Sequence, residues 1–297
     1  MTMLKAGLIQ MSLKMETTRA PLEIRAAMVD AHLPFIEEAG RRGVQVLCMQ
    51  EIFNHPYFCP VRDPKWFDGA ERVPDGSTVT RMRELAKRYS MVIVAPVYEL
   101  EGEDARYNTA AVIDADGRFL GKYRKVHVPD RPQGSAEQFY FRHGDLGFPV
   151  FDTAYCRLGV YICYDRHFPE GWRALALNGA QYIVNPSATV AGTSEYAWKL
   201  EQPAAAVAND VFIGAINRVG IEAPWDIGRF YGSSYFVNPH GEIIAQASSD
   251  RDELLVADLD LALIDATRAK WQFREHRRPD AYQELVRRLT APPAPHP

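Results

Sequence analysis

No apolar run in the 297-residue sequence approaches the roughly 18 residues that a membrane-spanning helix needs, so no membrane partner is expected. The opening stretch MTMLKAGLIQMSLKME is short, and its apolar part alternates as a strand does, which makes a poor signal peptide. Cysteine is scarce. Cys48, Cys59, Cys156 and Cys163 show no CxxC spacing and are too few for a disulfide framework, so a reducing cytoplasm is the expected setting. Positive charge is not in excess: a formal net charge of −4 offers no attraction to nucleic acid or to an anionic bilayer. The eight histidines include no HExxH and no Cys/His cluster at zinc spacing, so no metal site is expected. Phosphate-cradling GxGxxG and GxxxxGK[ST] loops are lacking, and GTSEYAW is not a GxSxG elbow. These exclusions leave a hydrolytic site that needs no cofactor.

What is present is a soluble, globular composition, 47% hydrophobic and 24% charged, with enough chain for a sizeable core. Short apolar runs alternate with amphipathic stretches. LKAGLIQM reads as a strand, and residues 21–41 as a helix that Pro34 kinks. VQVLCMQ is a second strand, followed by a long loop whose many aromatics argue for order. A helix over 78–88 leads to MVIVAPVYE, and 108–125 reads as a hairpin through Asp116-Gly117. Residues 124–147 look loop-like and charged. A similar series then follows: strand RLGVYIC, helix PEGWRALALNGA, strand YIVNPSA, a helix over 194–210 with Pro203 inside it, strand VFIGAINRVG, a hairpin turning at 239–241, and strand ELLVADLDL. Alternating strands and helices predict an α/β fold, a mixed sheet covered by helices. With no low-complexity linker, residues 1–265 are expected to form one domain. Residues 266–297, rich in Arg and then Pro, read as an arm.

Three residues stand where an apolar strand or hairpin ends. Cys163 closes GVYIC, and strand ends are where α/β folds expose reactive groups. A buried cysteine is more often a small hydrophobe, so its company decides the matter. A thiol nucleophile needs a base or a cation beside it. Glu51, after VQVLCMQ, is either a solvated loop carboxylate or a general base poised by partial burial. Lys125 ends the run Lys122-Tyr123-Arg124-Lys125, which reads either as a solvated face or as a segment dipping toward the core. In the second case it can donate to a developing oxyanion.

Glu51 after its strand, Lys125 in KYRKVHVP and Cys163 in GVYICYDRHFPE, in that order, resemble the nitrilase superfamily of carbon–nitrogen hydrolases. NPSA and AINRVG also fit, and the likeness runs from LKAGLIQM through LLVADLDL. The resemblance implies a four-layer α-β-β-α sandwich. It implies that Glu51 takes the Cys163 proton, and that Lys125 and the Tyr164 backbone N–H stabilise the tetrahedral intermediate. Glu137 in GSAEQFYF occupies the place of a second glutamate near the thiol. Within the superfamily, ICYDRHFPEGWRALALNGAQYIVNPSAT is most similar to β-ureidopropionases and shares features with N-carbamoyl-amino-acid amidohydrolases, including those acting on D-amino acids. Such enzymes act on a ureido group attached to a small amino acid, here expected to be N-carbamoyl-β-alanine. Arg166 then reads as a carboxylate clamp or as the structural partner of an acid. His167 stands where the carbamoylase pattern has a second arginine. His127 and Asn185 are either polar groups of the pocket or partners of buried backbone. The alternatives are an N-carbamoylputrescine amidase or ω-amidase, or a binding protein that keeps the fold without catalysis. The family likeness also implies a homodimer or higher homo-oligomer, with RAKWQFREHRRPD as a segment reaching toward a partner.

Overall fold

Strand residues alternate between two faces, so a strand buried on both sides must be apolar throughout. In the computed structural model, which describes residues 3–131 and 135–287, most of the short apolar runs are strands of this kind. The first half runs β1 (Met3–Gln10), α1 (Pro21–Arg41), β2 (Val46–Met49), α2 (Ser77–Tyr89), β3 (Val92–Glu101), β4 (Ala105–Ile113) and β5 (Phe119–Arg124). A short ribbon, β6 (Asp130–Arg131) and β7 (Ser135–Ala136), and the single turn α3 (Glu137–Tyr140) lead into the second half. There β8 (Val150–Asp152), β9 (Arg157–Val160), α4 (Pro169–Leu177), β10 (Tyr182–Pro186), α5 (Thr193–Asn209) and β11 (Phe212–Ile216) follow. A second ribbon, β12 (Val219–Gly220) with β13 (Phe230–Tyr231), precedes β14 (Tyr235–Val237), β15 (Ile243–Gln246), β16 (Glu253–Asp260) and α6 (Ala262–Trp271).

The strands form two six-stranded sheets, ordered β16-β1-β2-β3-β4-β5 and β15-β14-β11-β10-β9-β8. Each has three parallel strands at its centre, β1-β2-β3 and β9-β10-β11, flanked by antiparallel neighbours. The repeating series in the sequence is therefore a structural repeat. Ala6, Leu8, Val46, Cys48, Val92 and Val94 of the first sheet share one core with Leu158, Val160, Tyr182 and Val184 of the second. The alternate residues Leu47, Met49 and Ile93 pack instead against Ile24 and Met28 of α1 and Val79 and Met82 of α2. On the far side, Ile183 lies with Leu175 of α4, and Trp198 of α5 stands edge-on to Tyr235. The order is helices, sheet, sheet, helices: the four-layer sandwich that the resemblance implies. Close approach of the sheets requires Gly214, where an added Cβ would lie 2.3 Å from the Tyr182 hydroxyl and 3.1 Å from Leu8 Cδ2.

Three details differ from the sequence reading. Strand β9 stops at Val160, and Cys163 begins a single 3-10 turn (Cys163–His167) instead of closing the strand. The turn forms because Asp165 Oδ2 accepts from the Ile162 N–H while the Asp165 N–H donates to the Ile162 carbonyl. The stretch 124–147 contains β6, β7 and α3, held by contacts that a composition cannot reveal. Finally, α6 crosses the boundary drawn at residue 265, with Ile264 and Thr267 buried. After it the described chain makes only two short 3-10 turns, with Leu285 and Val286 exposed, and residues 288–297 of the arm lie outside the described residues.

Helix α4 seats the Cys163 turn by packing close to Tyr161, and Gly171 permits that approach: a Cβ there would meet the Tyr161 ring at 2.2–2.5 Å. Gly171→Ala should therefore lower stability by about 1–3 kcal/mol, the range for overpacking a filled core. Thermal unfolding checks this, and an unchanged midpoint would show that the ring has room to move.

Candidate active site

Parallel strands of an α/β sheet deliver side chains to a cleft at their carboxyl ends. Here both sheets do so at one place. Glu51 follows β2, Lys125 follows β5, and Glu137 opens α3; all three are buried. Lys125 Nζ donates to Glu51 Oε1 at 2.9 Å and to Glu137 Oε2 at 2.6 Å. An ammonium out of water is tolerated only with such partners. Burial opposes its charge, yet the Glu137 and Glu51 carboxylates outweigh burial and hold the Lys125 pKa well above the usual lysine range. Asn108 Nδ2 donates to Glu51 Oε1 at 2.7 Å, and the Tyr57 hydroxyl donates to Glu137 Oε1 at 2.7 Å. Burial raises the Glu137 pKa; Lys125 opposes the rise and Glu51 adds to it. Glu51 Oε2 accepts no hydrogen bond from the described residues.

Cys163 reaches the same cluster from the second sheet. Its φ of +47° is left-handed, a conformation costing a non-glycine residue on the order of 1–3 kcal/mol. Asp165 offsets that strain. Its carboxylate, wholly buried, accepts from the Ile162 N–H (3.0 Å), the Tyr123 hydroxyl (2.7 Å) and the His127 N–H (2.9 Å). Burial pushes the Cys163 thiol up to about 12, with Glu51 adding to the rise and Lys125 and Arg166 opposing it. The resting group is thus the thiol, beside a carboxylate able to receive its proton.

A cavity of about 800 Å³ opens above Cys163. Tyr57, Ser135, Glu137, Tyr164, Arg166 and His167 line it, with Ala188–Ala191 on one wall and Trp225, Asp226 and Ile227 at another. Glu51 and Lys125 lie behind this lining. Arg166 Nη1 donates to the Cys163 carbonyl at 3.1 Å and stands 3.8 Å from its sulfur. Its Nε faces Glu201 Oε2 at 3.3 Å, and His167 Nδ1 meets Glu201 Oε1 at 2.6 Å. Both residues therefore share one carboxylate.

The two remaining sequence candidates do not line the cavity. His127 stacks on Phe168 with ring centroids 3.7 Å apart, and its Nδ1 lies 2.7 Å from Asp165 Oδ1. Asn185 is wholly buried; its amide donates to the Tyr161 carbonyl, and its oxygen accepts from Ser187 and Gln202. Both satisfy buried structure around the Cys163 turn, the second of the two readings open to them. Sequence reasoning missed Asn108, Tyr57, Asp165 as a support, and Glu201. Asp165 carried a signal, since it follows the cysteine by two residues at a strand end. Asn108, Tyr57 and Glu201 carried none, because each joins the cluster only through tertiary contacts.

Among the described residues no helix is long and apolar enough to cross a membrane, and no group of three or more His, Cys, Asp or Glu is placed to hold a metal ion. The family model described as carbon-nitrogen hydrolase matches residues 5–269. A β-ureidopropionase of Arabidopsis thaliana is 39% identical over 303 residues, spanning 97% of this chain and 74% of that protein. An N-carbamoylputrescine amidase of the same plant is 39% identical over 263 residues, spanning 84% of this chain and 87% of that protein. Among solved structures, a carbon-nitrogen hydrolase from Helicobacter pylori G27 superposes with a TM-score of 0.88 at 32% identity, covering 96% of this chain and 99% of that one.

Access and acidity together rank the thiols. Cys48 and Cys59 are wholly buried, and burial raises both far above the ordinary thiol range, whereas Cys163 opens on the cavity. Iodoacetamide should alkylate Cys163 ahead of those two. Its rate should climb with pH through the alkaline range, about tenfold per unit while the thiolate is the minor form. Peptide mapping after partial labelling reads the order, and equal labelling of Cys59 and Cys163 would contradict the placement of Cys163 on the cavity.

Proposed function

The chain belongs to the carbon-nitrogen hydrolase family, and on that premise we propose that it is a cysteine-dependent amidohydrolase of N-carbamoyl amines, with N-carbamoyl-β-alanine as its leading substrate. The observation that carries this reading is the buried Glu51–Lys125–Glu137 cluster at the floor of the cavity that holds Cys163. Glu51 Oε2 takes the thiol proton as the sulfur attacks the ureido carbon. Negative charge moves to the carbonyl oxygen, where the Lys125 ammonium and the Tyr164 backbone N–H are assigned to receive it. Collapse of the tetrahedral intermediate expels ammonia, which leaves with the proton Glu51 had taken, and an acyl-thiol remains. Water, losing a proton to Glu51, attacks that acyl group, and the sulfur leaves as Glu51 returns that proton to it. The carbamate so released breaks down to CO2 and the amine. Glu137 keeps Lys125 oriented and charged through both steps. In this reading the protein works in the cytoplasm and needs no cofactor.

Arg166 supports an acidic substrate, because its guanidinium lines the cavity beside the thiol. A second reading rests on Glu201 and Asp226. Glu201 already balances Arg166, and Asp226 places a carboxylate at the cavity wall, which favours an ammonium-bearing ureide such as N-carbamoylputrescine. Self-association is also proposed. Tyr196 and Leu200 are exposed one turn apart on α5, and Leu177 is exposed on neighbouring α4.

Cys163→Ala should abolish turnover with the fold intact, since it removes one atom from a small side chain. Substantial residual ammonium release from that variant would remove cysteine catalysis from consideration. Ammonium release should be fastest from N-carbamoyl-β-alanine when it is compared with N-carbamoyl-α-amino acids and N-carbamoylputrescine. Cleavage of the last alone would give the cavity to Asp226 and not to Arg166. Light scattering at micromolar concentration should report at least a dimer, and a monomer there would refute self-association.

A further inference from the structure

The buried pair Arg218–Glu222 belongs to neither the cavity lining nor the reacting cluster, yet it touches the backbone of both segments that supply them. Arg218 lies between β11 and β12 and is wholly buried. A guanidinium without water must find protein acceptors for its donors. Its Nη2 donates to the carbonyls of Glu51 (2.7 Å), Ile52 (2.7 Å) and His55 (2.8 Å). Its Nη1 donates to Glu222 Oε1 at 2.7 Å, and the other oxygen of Glu222 accepts from the Tyr57 N–H at 2.6 Å.

Convergence of three carbonyls on one nitrogen has a local cause. Ile52 turns the chain with a left-handed φ of +46°, which aims successive carbonyls inward, away from solvent. No backbone donor of the segment meets the Glu51 carbonyl, so a side-chain donor must. The same segment ends at Tyr57, whose hydroxyl supports Glu137. Glu222 in turn starts the loop that brings Trp225, Asp226 and Ile227 to the cavity, and its own carbonyl accepts from the Trp225 N–H at 3.2 Å.

We propose that Arg218 and Glu222 are positioning residues for the hydrolytic reaction: the pair fixes Glu51 and Tyr57 in register with Lys125 and Glu137, and ties that register to the loop walling the cavity. The proposal rests on Glu51 being the proton acceptor. Neither residue meets the substrate. Loss of the pair should therefore weaken the reacting geometry and leave ground-state binding nearly as it was. A displacement of about an ångström at a catalytic group lowers rates by roughly a hundredfold.

The test uses the full chain and ammonium release from the best ureide, normalised to folded protein by circular dichroism. Glu222→Gln keeps the shape, but its single oxygen cannot accept from both Arg218 and Tyr57. It should lower kcat by about ten- to a hundredfold with KM within about threefold of the parent. Glu222→Asp restores the charge and should recover part of that loss, and Arg218→Lys should resemble Glu222→Gln. Parental kcat in Glu222→Gln would overturn the proposal. A raised KM at unchanged kcat would also overturn it, by confining the pair to the cavity wall. So would losses in all three variants that merely track the loss of folded protein. Glu51→Gln separates the two claims: full turnover in that variant would refute Glu51 as the proton acceptor, whatever the Glu222 variants do.

Discussion

A lysine ammonium sealed from water dictates what surrounds it. Lys125 can remain charged only with carboxylates against it, and the two it finds come from segments far apart in the chain, one after β2 and one opening α3. Each carboxylate then needs support of its own, which Asn108 of β4 and Tyr57 of the long loop provide. Those few contacts fix where the first sheet ends and how the following loops fold over it. They also bear on the state of the thiol. Burial keeps the proton on the Cys163 sulfur, Glu51 adds to that effect, and Lys125 and Arg166 oppose it. On the proposed reading, ionisation waits for a substrate that spreads the new charge onto an oxygen near Lys125.

The second sheet answers with a carboxylate used in the opposite way. Asp165 accepts hydrogen bonds from all sides and has no opening toward the cavity. Its work is to hold a backbone turn that would otherwise relax. Glu51 and Cys163 thus leave the carboxyl ends of parallel strands in the two halves of a structural repeat, one cushioned by an ion pair and the other by an anchored turn.

Much of this was legible in the sequence. Strand and helix runs, both hairpins and the places of Glu51, Lys125, Glu137 and Cys163 follow from periodicity, turn residues and family likeness. The run Lys122-Tyr123-Arg124-Lys125 shows the limit. As a string it suits a solvated face; as strand β5 it alternates. Lys122 and Arg124 turn to Glu99 and Glu101, while Tyr123 turns to Asp165 and Lys125 to Glu51 and Glu137. Which face is which depends on β4 and β8, and no local pattern encodes that. The pairing of β16 with β1 was equally hidden, because it joins residues some 250 positions apart: Met3 pairs with Asp260. His127 and Asn185 stayed open to two readings for a related reason, since a polar side chain near a cysteine serves buried backbone as readily as it serves a cavity.

One consequence follows from the way the loop after β12 is divided. Glu222 is buried and bound at both oxygens, whereas Ala223, Pro224, Asp226, Gly228 and Arg229 are exposed. Substitutions at such exposed positions usually change stability by no more than about 0.5 kcal/mol, while a buried paired charge tolerates almost none. Selection can therefore rewrite the rim of the cavity residue by residue without disturbing its floor. On the proposed reading, descendants of one ancestral chain would keep the buried cluster while the wall that meets the substrate changed, and that change would begin one residue beyond Glu222.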